Sequence, residues 1–217
     1  RTQMADLGGE GLTNMARNME DTNFGELGSV ALGDMARNMK GDNFNDLGGN
    51  KVLSMAKVMD NTVLSDIGNE QAKGMAKAME ENQIATLDSN QLVGLAKGME
   101  SKEIVEIGEA RLFAMVNKIE DKEVGTLGDD HLSAMMSGLK GTQIGQLEDD
   151  KKISIVDNLQ ANFFESKNAS FDDIRNALDS SPSITLDADK IGKTVIGATD
   201  SVEKEKVLGV FSRSDLF

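Results

Sequence analysis

The sequence predicts an all-α protein: an α-solenoid of about eight 20-residue short-helix hairpin repeats, closed by a helical C-terminal cap. Three observations predict it. A 20-residue period runs without a slip from the first residue to about residue 160. The stretch 22–39, TNFGELGSVALGDMARNM, returns as DNFNDLGGNKVLSMAKVM at 42–59 and then in more diverged copies. Within each copy the apolar residues fall at helical spacings, and a glycine recurs between them. A fixed period of this length marks a stacked-repeat architecture, in which each unit buries one face against its neighbours.

Numbering positions 1–20 within each copy locates the elements. Position 4 reads Met4, Phe24, Phe44, Leu64, Ile84, Ile104, Val124, Ile144, and position 7 reads Leu7, Leu27, Leu47, Ile67, Leu87, Ile107, Leu127, Leu147. An apolar pair at i, i+3, preceded by polar residues, predicts a short helix. Position 8 is Gly8, Gly28, Gly48, Gly68, Asp88, Gly108, Gly128 and Glu148. Glycine there is expected to take a left-handed conformation just past the short helix and stop it, a role that Asp88 and Glu148 fit poorly.

A longer helix of about three turns follows. Leu12, Met15, Ala16 and Met19, then Leu32, Met35, Ala36 and Met39, have the 0, 3, 4, 7 spacing of one helical face. Ser29, Asn50, Asn69, Ser89 and Asp129 are its candidate N-caps. Helices this short are not stable alone, so burial between neighbours has to hold them. After Leu159 the register breaks. Residues 1–160 are therefore read as the repeat array, and 161–217 as degenerate repeats or a helical C-terminal cap. The opening at Arg1, already in register, reads as a piece of a longer protein with repeats upstream. In helix length and apolar skeleton the array resembles the short-helix superhelical arrays of the magnesium-channel cytoplasmic N domain and the flagellar rotor switch protein. That resemblance implies architecture and carries over no functional residue.

Composition narrows the function. A net charge of −14 over 217 residues is contrary to what a phosphate backbone or an anionic lipid surface attracts. Cysteine is absent, which removes disulfides and thiolate chemistry and leans toward an extracellular or cell-envelope setting, with the cytoplasm left open. No apolar run is long enough to span a bilayer, so no membrane insertion is expected. Trp and Tyr are absent, contrary to a sugar- or base-stacking platform. The 13 methionines share positions with Leu, Ile and Val and read as core, not as copper ligands. His131, the one histidine, reads as a surface residue at a helix start.

Two sets of residues remain as candidates. Asp129, Asp130, Asp149, Asp150, Asp187 and Asp189 are the candidate metal ligands, for Ca or Mg; Asp187, Asp189 and Gly192 match part of an EF-hand rhythm that Ile191 and Ala198 break. Position 17 supplies Arg17, Arg37, Lys57, Lys77 and Lys97, and position 6 supplies Asp6, Glu26, Asp46 and Asp66. In a stacked array these become charged ladders, which pair within the chain or dock neighbouring molecules. No nucleophile, phosphate loop or catalytic constellation accompanies them, so an enzyme is not expected, nor a resident cofactor beyond such a cation. The expected function is a non-catalytic structural or protein-interaction repeat scaffold, within a larger extracellular, envelope or filamentous assembly and open to homo-oligomerisation. The alternative is an acidic module that responds to divalent Ca or Mg.

Overall fold

The computed structural model describes residues 6–158, and every regular element among them is helical. The candidate cap at 161–217, with Asp187 and Asp189, lies outside the described residues, as does the 160/161 boundary. In chain order the helices are α1 (Gly8–Asn18), α2 (Asp21–Asn38), α3 (Gly41–Leu47), α4 (Gly49–Val58), α5 (Asn61–Ser65), α6 (Asn69–Ala78) and α7 (Glu81–Ile84). They continue as α8 (Ser89–Gly98), α9 (Ser101–Ile104, followed by a 3-10 turn at Val105–Ile107), α10 (Glu109–Lys118), α11 (Asp121–Val124), α12 (Asp129–Ser137), α13 (Gly141–Gln146) and α14 (Asp149–Asn158). Helix α2 is a short and a long helix joined through a bend at Gly28. None of these helices is long and apolar enough to cross a membrane.

The chain divides into two compact units, Arg1–Ile119 and Glu120–Phe217. Within the first, with α2 counted as its short and long halves, the main partner of each helix is the third helix along. Helix α3 packs on α6, α5 on α8, α7 on α10, and α2 on α4 and α5. A short helix thus lies against the long helix three elements later, whereas the sequence pattern returns every two elements. The same relation recurs inside the second unit, where α11 packs on α14. Packing between consecutive long helices, α4 with α6 and α6 with α8, is slighter.

The core is made of the repeating apolar positions. Phe24, Phe44, Leu64, Ile84 and Ile104 from the short helices are fully buried, as are Met35, Met55, Met75 and Met115 and the alanines 16, 36, 56, 76 and 96 from the long ones. The methionines from Met35 to Met136 are core residues, as expected, while Met15 and Met19 are half-buried. Small residues recur on the long helices and let neighbouring backbones come close. The approach is closest at Gly74, where a Cβ would collide with the backbone of Gly41.

Two local expectations are corrected. The glycines at position 8 do have positive φ, +81° at Gly48 and +103° at Gly68, but their ψ lies near 150°. That region is open essentially to glycine alone and extends the chain instead of curling it as a left-handed cap would. Asp88 escapes the restriction by taking an ordinary extended conformation (φ −77°, ψ 165°) and capping α8 through its own carboxylate, which accepts from Gln91 N at 2.8 Å. No described non-glycine residue has positive φ, Glu148 included. The second correction concerns the expected N-caps. The long helices begin earlier than expected, so the N-caps are Gly48, Gly68, Asp88 and Gly128. Asn69, Ser89 and Asp129 are first helical residues, Asn50 is a second one, and Ser29 follows the bend at Gly28 inside α2.

Candidate functional site

The most regular polar feature is a seam of side chains that close helix C-termini. Met19, Met39, Met59 and Met79 end long helices in extended conformation, which leaves their carbonyls without a partner in the helix. Each receives a donor from position 11, 32 residues further on. Lys51 Nζ donates to the Met19 carbonyl, Gln71 Nε2 to that of Met39 at 2.9 Å, and Arg111 Nε to that of Met79 at 2.6 Å. Gln91 Nε2 is shared among the carbonyls of Ala56, Lys57 and Met59, at 3.1, 2.9 and 3.2 Å. From Lys51 to Arg111 the side chain at this position varies while the donor function does not. His131, half-buried as the third residue of α12, occupies the same position of its copy, so its place follows from the repeat.

A second seam serves the N-cap amides of the short helices. In some copies the acceptor is local: Asn23, Asn43, Gln83 and Gln143 accept from the N–H of Glu20, Lys40, Glu80 and Lys140, at 2.8–3.1 Å. Where position 3 is Val63 or Glu103, the acceptor comes from 31 residues earlier. Ser29 Oγ takes the Asp60 N–H at 2.9 Å and Asn69 Oδ1 takes the Glu100 N–H at 2.7 Å. Two of the residues expected as N-caps thus do cap a helix, but one three elements away. Asn50 Oδ1 instead accepts from Gln83 Nε2 at 2.7 Å. The Asp60 carboxyl is held below its ordinary range by the Thr62 hydroxyl first, then by the Val63 amide and the Ser29 hydroxyl. Those bonds contribute at pH above the ordinary aspartate pKa and are lost as the pH falls through the lowered one.

The charged ladders meet inside the first unit at an offset of 29 residues. Arg37 reaches the Asp66 carboxylate at 3.4 Å and the Asp66 carbonyl at 3.3 Å, and it also pairs with Asp34 at 2.6 Å. Arg17 donates to the Asp46 carbonyl at 3.1 Å. At the same offset Lys57 would meet Thr86 in place of an acid, and Glu106, which corresponds to Lys77, lies 3.6 Å from Lys73. Lys57, Lys77 and Lys97 are exposed on the last turns of α4, α6 and α8, and Asp6 and Glu26 are exposed near the N-terminal end of the first unit.

Of the candidate metal ligands, Asp129 is half-buried at the start of α12, Asp130 is exposed beside it, and Asp149 and Asp150 open α14. Among the described residues no three carboxylate or imidazole groups converge as a metal cage requires. An open depression of about 470 Å³ lies over the donor seam, lined by Lys57, Asp60, Asp88, Asn90 and Gln91. Asp60, Asp88 and Gln91 are the capping groups just described.

A largely buried ionic group centres on Lys73. Its Nζ lies 2.9 Å from Glu103 Oε1, 3.2 Å from Glu70 and 3.6 Å from Glu106. Glu103 is 3% exposed, and its Oε2 is buried without a hydrogen-bond partner among the described residues. The Glu103 carboxylate, ahead of opposing burial, pushes the Lys73 pKa well above the ordinary lysine range. Neither residue stands out in the sequence as a site, although Lys73 departs from its column: position 13 reads Thr13, Gly33, Leu53, Lys73, Val93, Phe113, while position 3 reads Asn43, Val63, Gln83, Glu103, Glu123. The one lysine at position 13, with an acid 30 residues further on, was the available signal, and reading it needed the stacking offset. Compared with known protein families, with curated proteins and with solved structures, the chain matches none.

Proposed function

We propose that this chain is a non-catalytic α-solenoid scaffold that presents a repeated surface to a protein partner or to further copies of itself, within a larger extracellular, envelope or filamentous assembly. The observation that carries the reading is the donor seam. Lys51, Gln71, Gln91 and Arg111 perform one structural task, at one offset. Buried polar chemistry is thereby devoted to propagating a stack, which leaves a long outer surface of recurring side chains for recognition. Extended repeat surfaces are commonly used in that way. The exposed Lys57, Lys77 and Lys97 and the exposed Asp6 and Glu26 are the contacts proposed for assembly, by charge complementarity.

Light scattering on a sizing column, run in EDTA and in millimolar calcium, tests the reading. A scaffold that builds on itself elutes as a large species in both buffers and dissociates as salt rises, because its exposed charge contacts are screened. A monomer in both buffers restricts the scaffold to a foreign protein partner. Assembly or a raised melting temperature only in calcium overturns the scaffold reading in favour of a cation-responsive module, whose folded state gains stability by mass action.

A further inference from the structure

Near-identical repeats create a problem of alignment. Because the apolar positions are the same in every copy, sliding one stretch of the stack by a whole copy against another leaves the hydrophobic surface buried. It also leaves most capping donors with a carbonyl to reach. Burial therefore cannot choose among such registers, and something that differs between copies has to. In the first unit the Lys73–Glu103 pair is such a difference. It joins α6 to the start of α9 across the stacking offset, with Glu103 almost wholly enclosed and Lys73 its one counter-charge within 4 Å among the described residues. In the observed alignment the carboxylate is paired. A slip of one copy in either direction places Glu103 opposite Leu53 or Val93, neither of which can compensate a buried charge.

We propose that Lys73 and Glu103 form a register key: a charge pair that selects the one stacking alignment among the alternatives a repeated sequence offers, and so keeps the repeats of one chain, and of neighbouring chains, from packing out of step. The inference rests on the stacking observed within the first unit and is independent of the scaffold reading. That Glu103 Oε2 has no partner among the described residues fits it, because a pair arranged for stability alone would have both oxygens satisfied. Replacing a buried ion pair by apolar residues is often neutral or stabilising, so specificity is the property that separates the two roles.

The test uses the full 217-residue chain, unfolded in urea and refolded over a range of concentrations. The products are read by native mass and by peptide-resolved hydrogen exchange. The apolar pair K73M/E103L is expected to keep its helicity and melting temperature. It should nevertheless refold to a mixture, with more than one exchange pattern across α6 and α9 and a fraction of swapped dimer that grows with concentration. A rise of about tenfold over the parent corresponds to ~1.4 kcal/mol of lost discrimination. The reversed pair K73E/E103K is expected to restore a single pattern. If the apolar pair fails to fold, K73Q/E103Q asks the same question with a neutral hydrogen-bonded pair. An apolar or neutral pair that refolds to one species, with the parent exchange pattern and dimer fraction, overturns the proposal.

Discussion

At the scale of single residues, the strongest constraint is the carbonyl left over where a helix ends beneath its neighbour. Gln91 shows it best, since its amide nitrogen, almost wholly buried, faces three carbonyls at the end of α4. Gln91→Ala should leave those carbonyls unsatisfied and cost about 1–3 kcal/mol. For a chain of this size that lowers Tm by about 2–4 °C per kcal/mol. Gln91→Lys keeps a donor on a flexible stem, as Lys51 does at the equivalent place, and should lose less than half as much. Thermal and urea melts of the two variants check this, and equal losses would show that shape matters there and donation does not. Position 11 was legible only in part. It starts Gly11, Ala31 and then carries Lys51, Gln71, Gln91 and Arg111, which share no charge or size, only an N–H.

At the scale of the element, a short helix is a single turn or two whose first amides must find acceptors. Two solutions occur, and within the first unit each excludes the other. Where Asn43 or Gln83 accepts locally, position 9 of the copy packed beneath is Gly9 or Gly49, and a Cβ there would crowd that very side-chain oxygen. Where position 3 is Val63, Ser29 stands in the place of that glycine and supplies the acceptor itself. Ser29→Gly should therefore destabilise α5 by about 1 kcal/mol, the ordinary net value of such a bond. Adding Val63→Asn should recover most of the loss by installing the local acceptor. The double-mutant cycle in urea tests this, and additive effects would refute the exchange. Helix type and approximate bounds were legible from the 0, 3, 4, 7 spacing and the glycine, because both act within one copy. The partners of Ser29 and Asn69 were not, because they lie three elements away and a two-element sequence period does not disclose a three-element packing step. The same gap hid the Lys73–Glu103 pair, and it explains why Arg37 could be assigned a ladder but not Asp66 as its partner.

At the scale of the whole molecule, two periods coexist: a 20-residue repeat in the sequence, which spans two helices, and a packing step of three helices. They are compatible because each copy contributes one short and one long helix, so a step of three always sets a short helix against a long one. The editable quantum should then be the sequence period and not the packing step. Deleting 41–60 removes α3 and α4 and joins Lys40 to Asn61. Gln71 then stands to Met19, and Gln91 to Met39, as Gln71 stands to Met39 in the parent, so the donor seam closes again. Lys73 and Glu103 keep their separation. The losses are local: the Lys40 amide loses its acceptor, since Val63 replaces Asn43 above Gly9; the Asp60 carboxylate that caps α5 is deleted; Arg37 comes to face Thr86 in place of Asp66; and Ser29 comes to lie beneath Gln83 in place of Gly49. Deleting 41–70 removes three helices, α3 to α5, yet it fuses Lys40 to the interior of α6, sets long helix after long helix and leaves Gln91 without the carbonyl it serves. We expect the 41–60 deletion to stay helical and melt cooperatively, with helicity falling in proportion to length, and the 41–70 deletion to lose cooperativity. Circular dichroism melts of the two proteins decide it. If both deletions melt alike, packing is indifferent to helix order, and the donor seam lacks the selective role that its offset implies.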